Sequence, residues 1–103
     1  SVIRMPGIFL QVKQPDLYGN SKWAFYFNKV IRATMEDKEF LDKVANRSVV
    51  FGNGDSLEAD LRLEQNFDSD GKVIAGSERY FVERVISVKS FPSLEEKQIS
   101  FVD

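Results

Sequence analysis

"LEADLRLEQNF" (residues 57–67) is the stretch that decides the fold. An apolar residue stands at almost every second position, and charged or polar residues fill the places between. A period of two puts successive side chains on opposite faces of a β-strand. The stretch therefore predicts a long strand with one buried and one solvated face, the buried row being Leu57, Ala59, Leu61, Leu63 and Phe67, interrupted only at Gln65.

The next periodic segment, "ERYFVERVISVK" (78–89), is the expected partner of that strand. Tyr80, Val82, Ile86 and Val88 alternate along it, and further apolar residues add to its second face. A strand covered on both sides for part of its length is typical of a curled sheet or a small barrel.

Three more strands are predicted upstream, in "GIFLQVKQ" (7–14), "KWAFYFN" (22–28) and "VIRATM" (30–35). Pro15 and the Gly-Asn-Ser cluster at 19–21 end the first of them. The second and third are close enough to form a hairpin that turns at Asn28-Lys29. All three are rich in the β-branched and aromatic residues that pack well in sheets.

The period changes in "EDKEFLDKVAN" (36–46), where Phe40, Leu41 and Val44 fall on one face of a helix. An acidic residue at 36 or 37 is expected to cap its start. Asn46 is expected to end it in the left-handed conformation. A helix of this length is too short to stand alone, so we expect it to pack on the sheet.

The predicted order is therefore β-β-β-α-β-β, in a mainly β domain of residues 1–90. An OB-type barrel has this order, with its helix between the third and fourth strands. An SH3-like barrel, or a strongly curved antiparallel sheet, fits the same order. We predict residues 91–103 to be a C-terminal tail that forms a short helical turn, an extra edge strand or a frayed end.

The composition excludes several classes of protein. The chain of 103 residues contains no Cys and no His. This rules out disulfide-stapled domains, Cys or His zinc sites, and Ser–His or Cys–His catalysis. The net charge of −2 gives no global attraction to nucleic acid or membranes. No membrane-spanning run or signal peptide is visible, so we expect a soluble cytoplasmic protein with no cofactor.

The connection "NFDSDGKVIAGS" (66–77) spells most of a calcium-binding loop. Asn66, Asp68 and Asp70 are spaced by two and Gly71 follows, as in an EF-hand. The twelfth position, however, is Ser77 instead of a bidentate Glu, and strands flank the loop instead of helices. We therefore interpret the stretch as a hairpin connection and predict no metal, with a calcium site on those three residues as the alternative.

The aromatic strand 22–28 carries the candidate binding residues. Three of its rings share one face, which we expect in the core, whereas Tyr26 points the other way. On an OB-type barrel, bases stack on exposed rings of the second and third strands while cations follow the phosphates. The candidates for such a surface are Lys22, Tyr26, Lys29 and Arg32.

Carboxylates cluster on the last two predicted strands. They are Glu58, Asp60, Glu64, Glu78 and Glu83, and they lie opposite Arg62, Arg79 and Arg84. Paired carboxylates perform glycoside chemistry when one of them is buried and its pKa is raised. Here they alternate with leucines on a solvated face, so we interpret them as cross-strand charge pairs. We predict no catalytic residue.

"KWAF", "MEDKEFLDKV", "VVFGNGDSLEADLRLEQ" and "YFVERVISV" together resemble a β-rich module found at the end of larger bacterial proteins of unknown function. The resemblance covers residues 8 to 89. It rests on core and turn positions, which are Lys22, Trp23, Phe25, Phe40, Leu41, Val44, Phe51, Gly54, Asp55, Leu57, Tyr80, Val82 and Val85. It implies a shared fold and an accessory role, and it implies no catalytic residue.

The sequence thus leads to three hypotheses about function. The first is a non-catalytic accessory module that works through protein contacts, either by self-association as a homodimer or by docking to another domain. The second is an OB-type binder of single-stranded nucleic acid. The third is a small-ligand binder or enzyme.

Overall fold

A computed structural model describes residues 1–15, 22–50, 52 and 54–90. Its elements are β1 (Val2–Gln14), β2 (Lys22–Phe27), β3 (Lys29–Met35), α1 (Lys38–Ala45), β4 (Ser56–Glu64) and β5 (Arg79–Lys89). This order confirms the predicted β-β-β-α-β-β arrangement. The C-terminal tail, with its predicted turn or edge strand, lies outside the described residues.

The five strands form a closed barrel in the order β1-β2-β3-β5-β4, with β1 and β4 paired to close it. All pairs are antiparallel except β3 and β5, which run parallel through residues 33–35 and 80–82. The prediction of a mainly β fold with one short helix, a small OB-like or SH3-like barrel, is confirmed. The helix lies between β3 and β4, where an OB-type barrel has it.

The inward row of β4 forms the middle of the core. Leu57, Ala59 and Leu61 are fully buried against Trp23 and Phe25. Burying a side chain the size of leucine contributes about 1.5–3 kcal/mol to folding, so this row is a major source of stability. The remaining buried apolar residues are Leu10, Val12, Ala24, Ile31, Ala33, Met35, Phe40 and Val82.

The buried row ends sooner than the sequence predicted. Leu63 is half-buried, and Phe67 is exposed because β4 ends at Glu64 and the chain leaves the barrel there. Phe67 instead forms an isolated bridge with Val73 inside the loop between β4 and β5.

β1 begins five residues earlier than predicted because a β-bulge carries the chain past Pro6. The pairing with β4 shifts register between Met5 and Ile8, and Gly7 adopts a φ of 61°. The Gly7 N–H donates to Asp60 Oδ1 at 2.9 Å, so a side chain replaces the missing ladder bond. Glycine is suited to this left-handed position because it has no Cβ.

The turn between β2 and β3 is tighter than the predicted Asn28-Lys29 loop. Lys29 already pairs with Phe27, and Asn28 alone reverses the chain at a φ of 62°. Asparagine is among the residues that tolerate this left-handed backbone most readily.

Helix α1 confirms the acidic N-cap but not the predicted end. Asp37 Oδ1 accepts from the Phe40 N–H at 3.0 Å, which caps the helix. The prediction of a left-handed Asn46 is wrong, since its φ is −90° and Arg47 is left-handed at 64°. Asn46 instead uses its side-chain oxygen to accept from the Ser48 N–H at 2.9 Å.

Candidate binding surfaces

Three of the four predicted binding residues lie together on the outer face of β2 and β3. Lys22, Tyr26 and Arg32 are exposed. Arg32 on β3 pairs in register with Ala24, which lies two positions after Lys22 on β2. Lys29 is also exposed, but its Nζ lies 3.7 Å from Glu78 Oε2, at the hairpin end. The structure therefore brings Lys22, Tyr26 and Arg32 together and places Lys29 at the edge of the group, paired with an acid.

Two further residues of this face were missed in the sequence. Register pairs Gln11 with Tyr26, which brings the outward residues of β1 alongside the ring. Lys13 Nζ lies 5.6 Å from the Tyr26 ring centroid, within the range of a cation–π interaction. Phe9 is exposed on the same strand. The alternation in "GIFLQVKQ" was the available signal, because Phe9 and Lys13 oppose buried Leu10 and Val12.

A small polar notch opens between the two cations. Its volume is about 140 Å³, and Lys22, Arg32, Gln14, Pro15 and Ala24 line it. Among the described residues that line it, none is acidic, so the notch can take an anion or a hydrogen-bonding group.

The loop with the calcium-like spelling is organised by its own hydrogen bonds. Asp68 Oδ1 accepts from the N–H groups of Asp70 and Lys72, at 2.9 and 3.0 Å. Gly71 has a φ of 79°, which is the turn conformation that glycine favours. Throughout the part of the chain that the structure describes, no three Asp or Glu side chains are grouped so as to hold a metal ion.

The outer face of β4 and β5 carries an arginine held by three carboxylates. Arg62 donates from Nε to Glu64 at 2.8 Å, from Nη1 to Glu83 at 2.9 Å, and through Nη1 and Nη2 to both oxygens of Glu36 at 2.9 Å. Its guanidinium lies over the Phe81 ring at 4.3 Å. The Arg62 side chain is only 15% exposed, so the solvated face predicted for β4 is largely covered here.

Two side chains of β4 and β5 have raised pKa values. The pKa of Arg62 is raised from its ordinary value, chiefly by the hydrogen bonds to Glu36, and burial opposes the rise. The pKa of Tyr80 is also raised, by burial and by a hydrogen bond to Glu78 at 3.2 Å. Arg84 lies 3.3 Å from Asp60, its partner in register. Cross-strand pairing of the predicted carboxylates is thus present.

A groove lies between α1 and β5. It has a volume of about 500 Å³, and we call it the α1–β5 groove. Its apolar lining is Phe40, Val49, Val85, Ile86 and Val88, and Asp37, Glu39, Lys43, Ser48, Arg84 and Ser87 complete it. Asp37 Oδ2 accepts from the Val85 N–H at 2.9 Å and so connects the helix to the strand at the groove floor.

The first part of β1 presents a free edge. It pairs with β4 from Val2 onwards, but β2 joins its other side only at Gln11. Among the described strands, none pairs with that other side between Val2 and Phe9; we call this stretch the β1 edge. Val2, Ile3 and Phe9 on it are exposed, and Phe67, Val73 and Ile74 of the β4–β5 loop are exposed as well.

The comparisons with known proteins give no relative for this chain, since no protein-family model, curated protein or solved structure matches it. Within the described residues, no helix is both long enough and apolar enough to span a membrane.

Proposed function

We propose that this chain is a non-catalytic accessory module that works through protein contacts, and that it self-associates through the β1 edge. The observation that carries the proposal is the β1 edge, with which no described strand pairs, together with its exposed apolar side chains. An unpaired strand edge offers N–H and C=O groups to another strand, and natural proteins usually cover or blunt such edges. The resemblance to a bacterial accessory module and the expected cytoplasmic location belong to the same proposal.

The backbone of the β1 edge is correctly oriented for such pairing. Ser1 and Gln65 exchange hydrogen bonds in both directions, at 2.9 and 3.0 Å. Hydrogen-bonded pairs alternate along an antiparallel ladder, so Val2 and Arg4 direct their N–H and C=O groups away from β4. Two copies can therefore pair through these residues without breaking a bond within either barrel.

The bulge limits how far this pairing extends. Pro6 has no N–H to donate, and the Gly7 N–H is already bound to Asp60. The contact is therefore a short segment that ends at Met5, and we expect a reversible dimer with a micromolar Kd.

The test replaces Arg4 in two ways. Arg4→Pro removes the outward N–H, whereas the control Arg4→Ala keeps it and loses only the contact of Arg4 with Glu83 at 3.7 Å. Light scattering across a concentration series should show a dimer that Arg4→Pro weakens about tenfold or more, since a ladder hydrogen bond is lost from each of two symmetric sites. A wild-type monomer at every concentration, or equal weakening by both variants, overturns the proposal.

A second candidate function rests on the outer face of β1, β2 and β3. Lys13 Nζ lies 5.6 Å from the exposed Tyr26 ring, and Lys22 and Arg32 line the polar notch on the same face. A stacking ring beside cations is the usual combination for single-stranded nucleic acid. We keep this as the alternative because the face is small and the whole chain is acidic.

A fluorescently labelled single-stranded oligonucleotide tests the alternative. Binding should weaken with salt, and Tyr26→Ala and Arg32→Ala should each reduce it, the latter lowering the salt slope by about one. Lys72→Ala, an exposed cation in the β4–β5 loop, is the matched control and should leave binding unchanged. Binding that all three variants affect equally, or no binding at low salt, removes this alternative.

A further inference from the structure

Among the described strands, only β4 pairs with the second half of β5. β4 follows β5 along its whole length, whereas β3 pairs with it only at residues 80–82. From residue 83 onwards the other side of β5 faces helix α1, and the α1–β5 groove lies between them. We call this side of residues 83–89 the β5 edge. Like the β1 edge, it is a strand edge to which a further strand can be added.

The backbone of Val88 directs its hydrogen-bonding groups away from β4. The Val12 N–H donates to the Asp55 C=O at 2.7 Å, so Asp55 faces β1. The bonding direction alternates along a strand, so Leu57 faces β1 as well and turns its N–H and C=O away from β5. Val88 is the register partner of Leu57, and the two form a non-hydrogen-bonded pair. The N–H and C=O of Val88 are therefore directed toward the groove that Val88 lines.

A β-bulge leaves Ile86 without a partner in β4. The register with β4 passes directly from Ser87 to Val85, so Ile86 is the extra residue of the bulge. Ile86 is 45% exposed and lines the groove. The Val85 N–H is already bound to Asp37, at 2.9 Å, and marks the end of the open stretch. Residues Ile86–Lys89 therefore remain for pairing, over a length of about 13 Å at 3.3 Å per residue.

The lining of the groove is largely apolar and carries no net charge. Its volume of about 500 Å³ is within the range of ligand sites, and five apolar side chains line it. Two acids, Asp37 and Glu39, balance two cations, Lys43 and Arg84. Lys43 lies 3.5 Å from Glu39, and Arg84 lies 3.3 Å from an acid of β4. The complementary occupant is therefore uncharged and apolar, since a charged group would lose its hydration without gaining a free partner.

We propose that the α1–β5 groove binds an extended, apolar peptide segment of a partner protein, which adds to the β5 edge as a further strand. In this mode of recognition the backbone hydrogen bonds give affinity, and pockets for alternate side chains give specificity. Val88 offers the backbone groups, and Ile86 offers apolar surface beside them. The proposal goes beyond self-association at the β1 edge and does not depend on it, because the two surfaces use different strands.

A library of random octapeptides displayed on phage, selected against the full chain, provides the probe. We expect the enriched sequences to have apolar residues at alternate positions and few charges, because a strand presents every second side chain to one surface. No enrichment above a selection without the protein, or enrichment of charged sequences, overturns the proposal.

An N-methyl scan of one enriched peptide then tests strand pairing with the wild-type protein, so this test does not depend on the folding of a variant. Each backbone N–H of the fluorescently labelled peptide is methylated in turn, and binding is measured by fluorescence polarisation. Methylation should weaken binding about tenfold or more at residues that bond to β5 and change it little at the residues between them. A scan without this period of two overturns the added strand.

Variants of the protein locate the site. Val88→Pro removes the N–H directed toward the groove, whereas the control Val88→Ala keeps it, so the first should weaken binding about tenfold more than the second. Ile86→Asp should abolish binding, and Ile74→Asp is its matched control, because Ile74 is 46% exposed in the β4–β5 loop. Equal effects within either pair overturn the proposal. Arg4→Pro should leave peptide binding unchanged, which separates this result from that at the β1 edge.

Discussion

Replacing Arg62 with methionine tests how the outer face of the barrel is held together. Methionine keeps a long apolar side chain over the Phe81 ring but removes the charge and every donor. Glu36, Glu64 and Glu83 then face one another without the guanidinium between them. These carboxylates belong to the β3–α1 connection, β4 and β5, so the change affects three segments at once.

The magnitude follows from the exposure of the partners. A fully exposed ion pair contributes about 0.2–1 kcal/mol, and removing one partner of a buried pair costs about 3–5 kcal/mol. The side chains of Glu83, Glu36 and Glu64 are 28%, 38% and 44% exposed, so each contact belongs near the upper end of the first range. Three contacts at about 0.8 kcal/mol give a loss of about 2.5 kcal/mol at pH 7. For a domain of this size, that lowers Tm by roughly 10–20 °C.

The loss is expected to be independent of pH around neutrality. Because the pKa of Arg62 is raised in the folded protein, its stabilising effect is fully present below the ordinary arginine pKa and is lost only as the pH rises above it. The guanidinium therefore stays charged between pH 6 and pH 9, and the cost of Arg62→Met should vary by less than about 0.5 kcal/mol over this range.

Chemical denaturation of the wild type and the Arg62→Met variant at pH 6, 7 and 9 measures the loss and its pH dependence. Arg84→Met is the matched control, because Arg84 is 67% exposed and forms a single cross-strand ion pair within the described residues, to Asp60. Its loss should stay below about 1 kcal/mol. Adding Glu36→Gln to Arg62→Met should recover about 1 kcal/mol by removing one of the like charges. If Arg62→Met costs no more than Arg84→Met, or if its cost changes by more than about 1 kcal/mol between pH 6 and pH 9, the reasoning is wrong.

Three further outcomes are expected. The pKa of Tyr80 is raised in the folded state, so the folded protein loses stability as alkali ionises this side chain. Tyr80→Phe removes that ionisation and should make the loss of stability above pH 10 smaller, which thermal melting from pH 8 to 11.5 checks. Asp37→Ala should cost about 2–3 kcal/mol in urea denaturation, since it removes the helix cap and leaves the Val85 N–H without its acceptor. Asp68→Ala should cost about 1 kcal/mol. Millimolar calcium should leave the Tm of the wild type and of this variant unchanged. If calcium raises the Tm of the wild type and Asp68→Ala abolishes that effect, the loop is an ion site.

The features that depend on local patterns were predictable from the sequence. The alternation along β4 identified Leu57, Ala59 and Leu61 as core because a period of two leaves a strand only one buried face. The aromatic alternation in β2 likewise separated buried Trp23 from exposed Tyr26. The helix and its cap followed from the change of period and from an acid at the correct place.

The features that depend on register were not predictable in this way. Arg62 belongs by alternation to the outer face, but its burial depends on Phe81 opposite it and on Glu36, which lies 26 positions away in the chain. The contact of Lys13 with Tyr26 depends on the register between β1 and β2, which the pattern of neither strand specifies. Bulges shift each of these registers by one residue, and a shift of one residue reverses every side chain.

The pairing that closes the barrel also has a consequence for how the chain is made. β1 leaves the ribosome before its partner β4, which is completed roughly fifty residues later; at ordinary rates of synthesis this takes about 3–10 s. During that interval the edge of β1 that faces β4 has no ladder, and the exposed apolar residues of β1 are available to neighbouring nascent chains. Pro6 interrupts the run of donors in that waiting strand, so a proline-free version should fold to the same barrel but yield less soluble protein during expression.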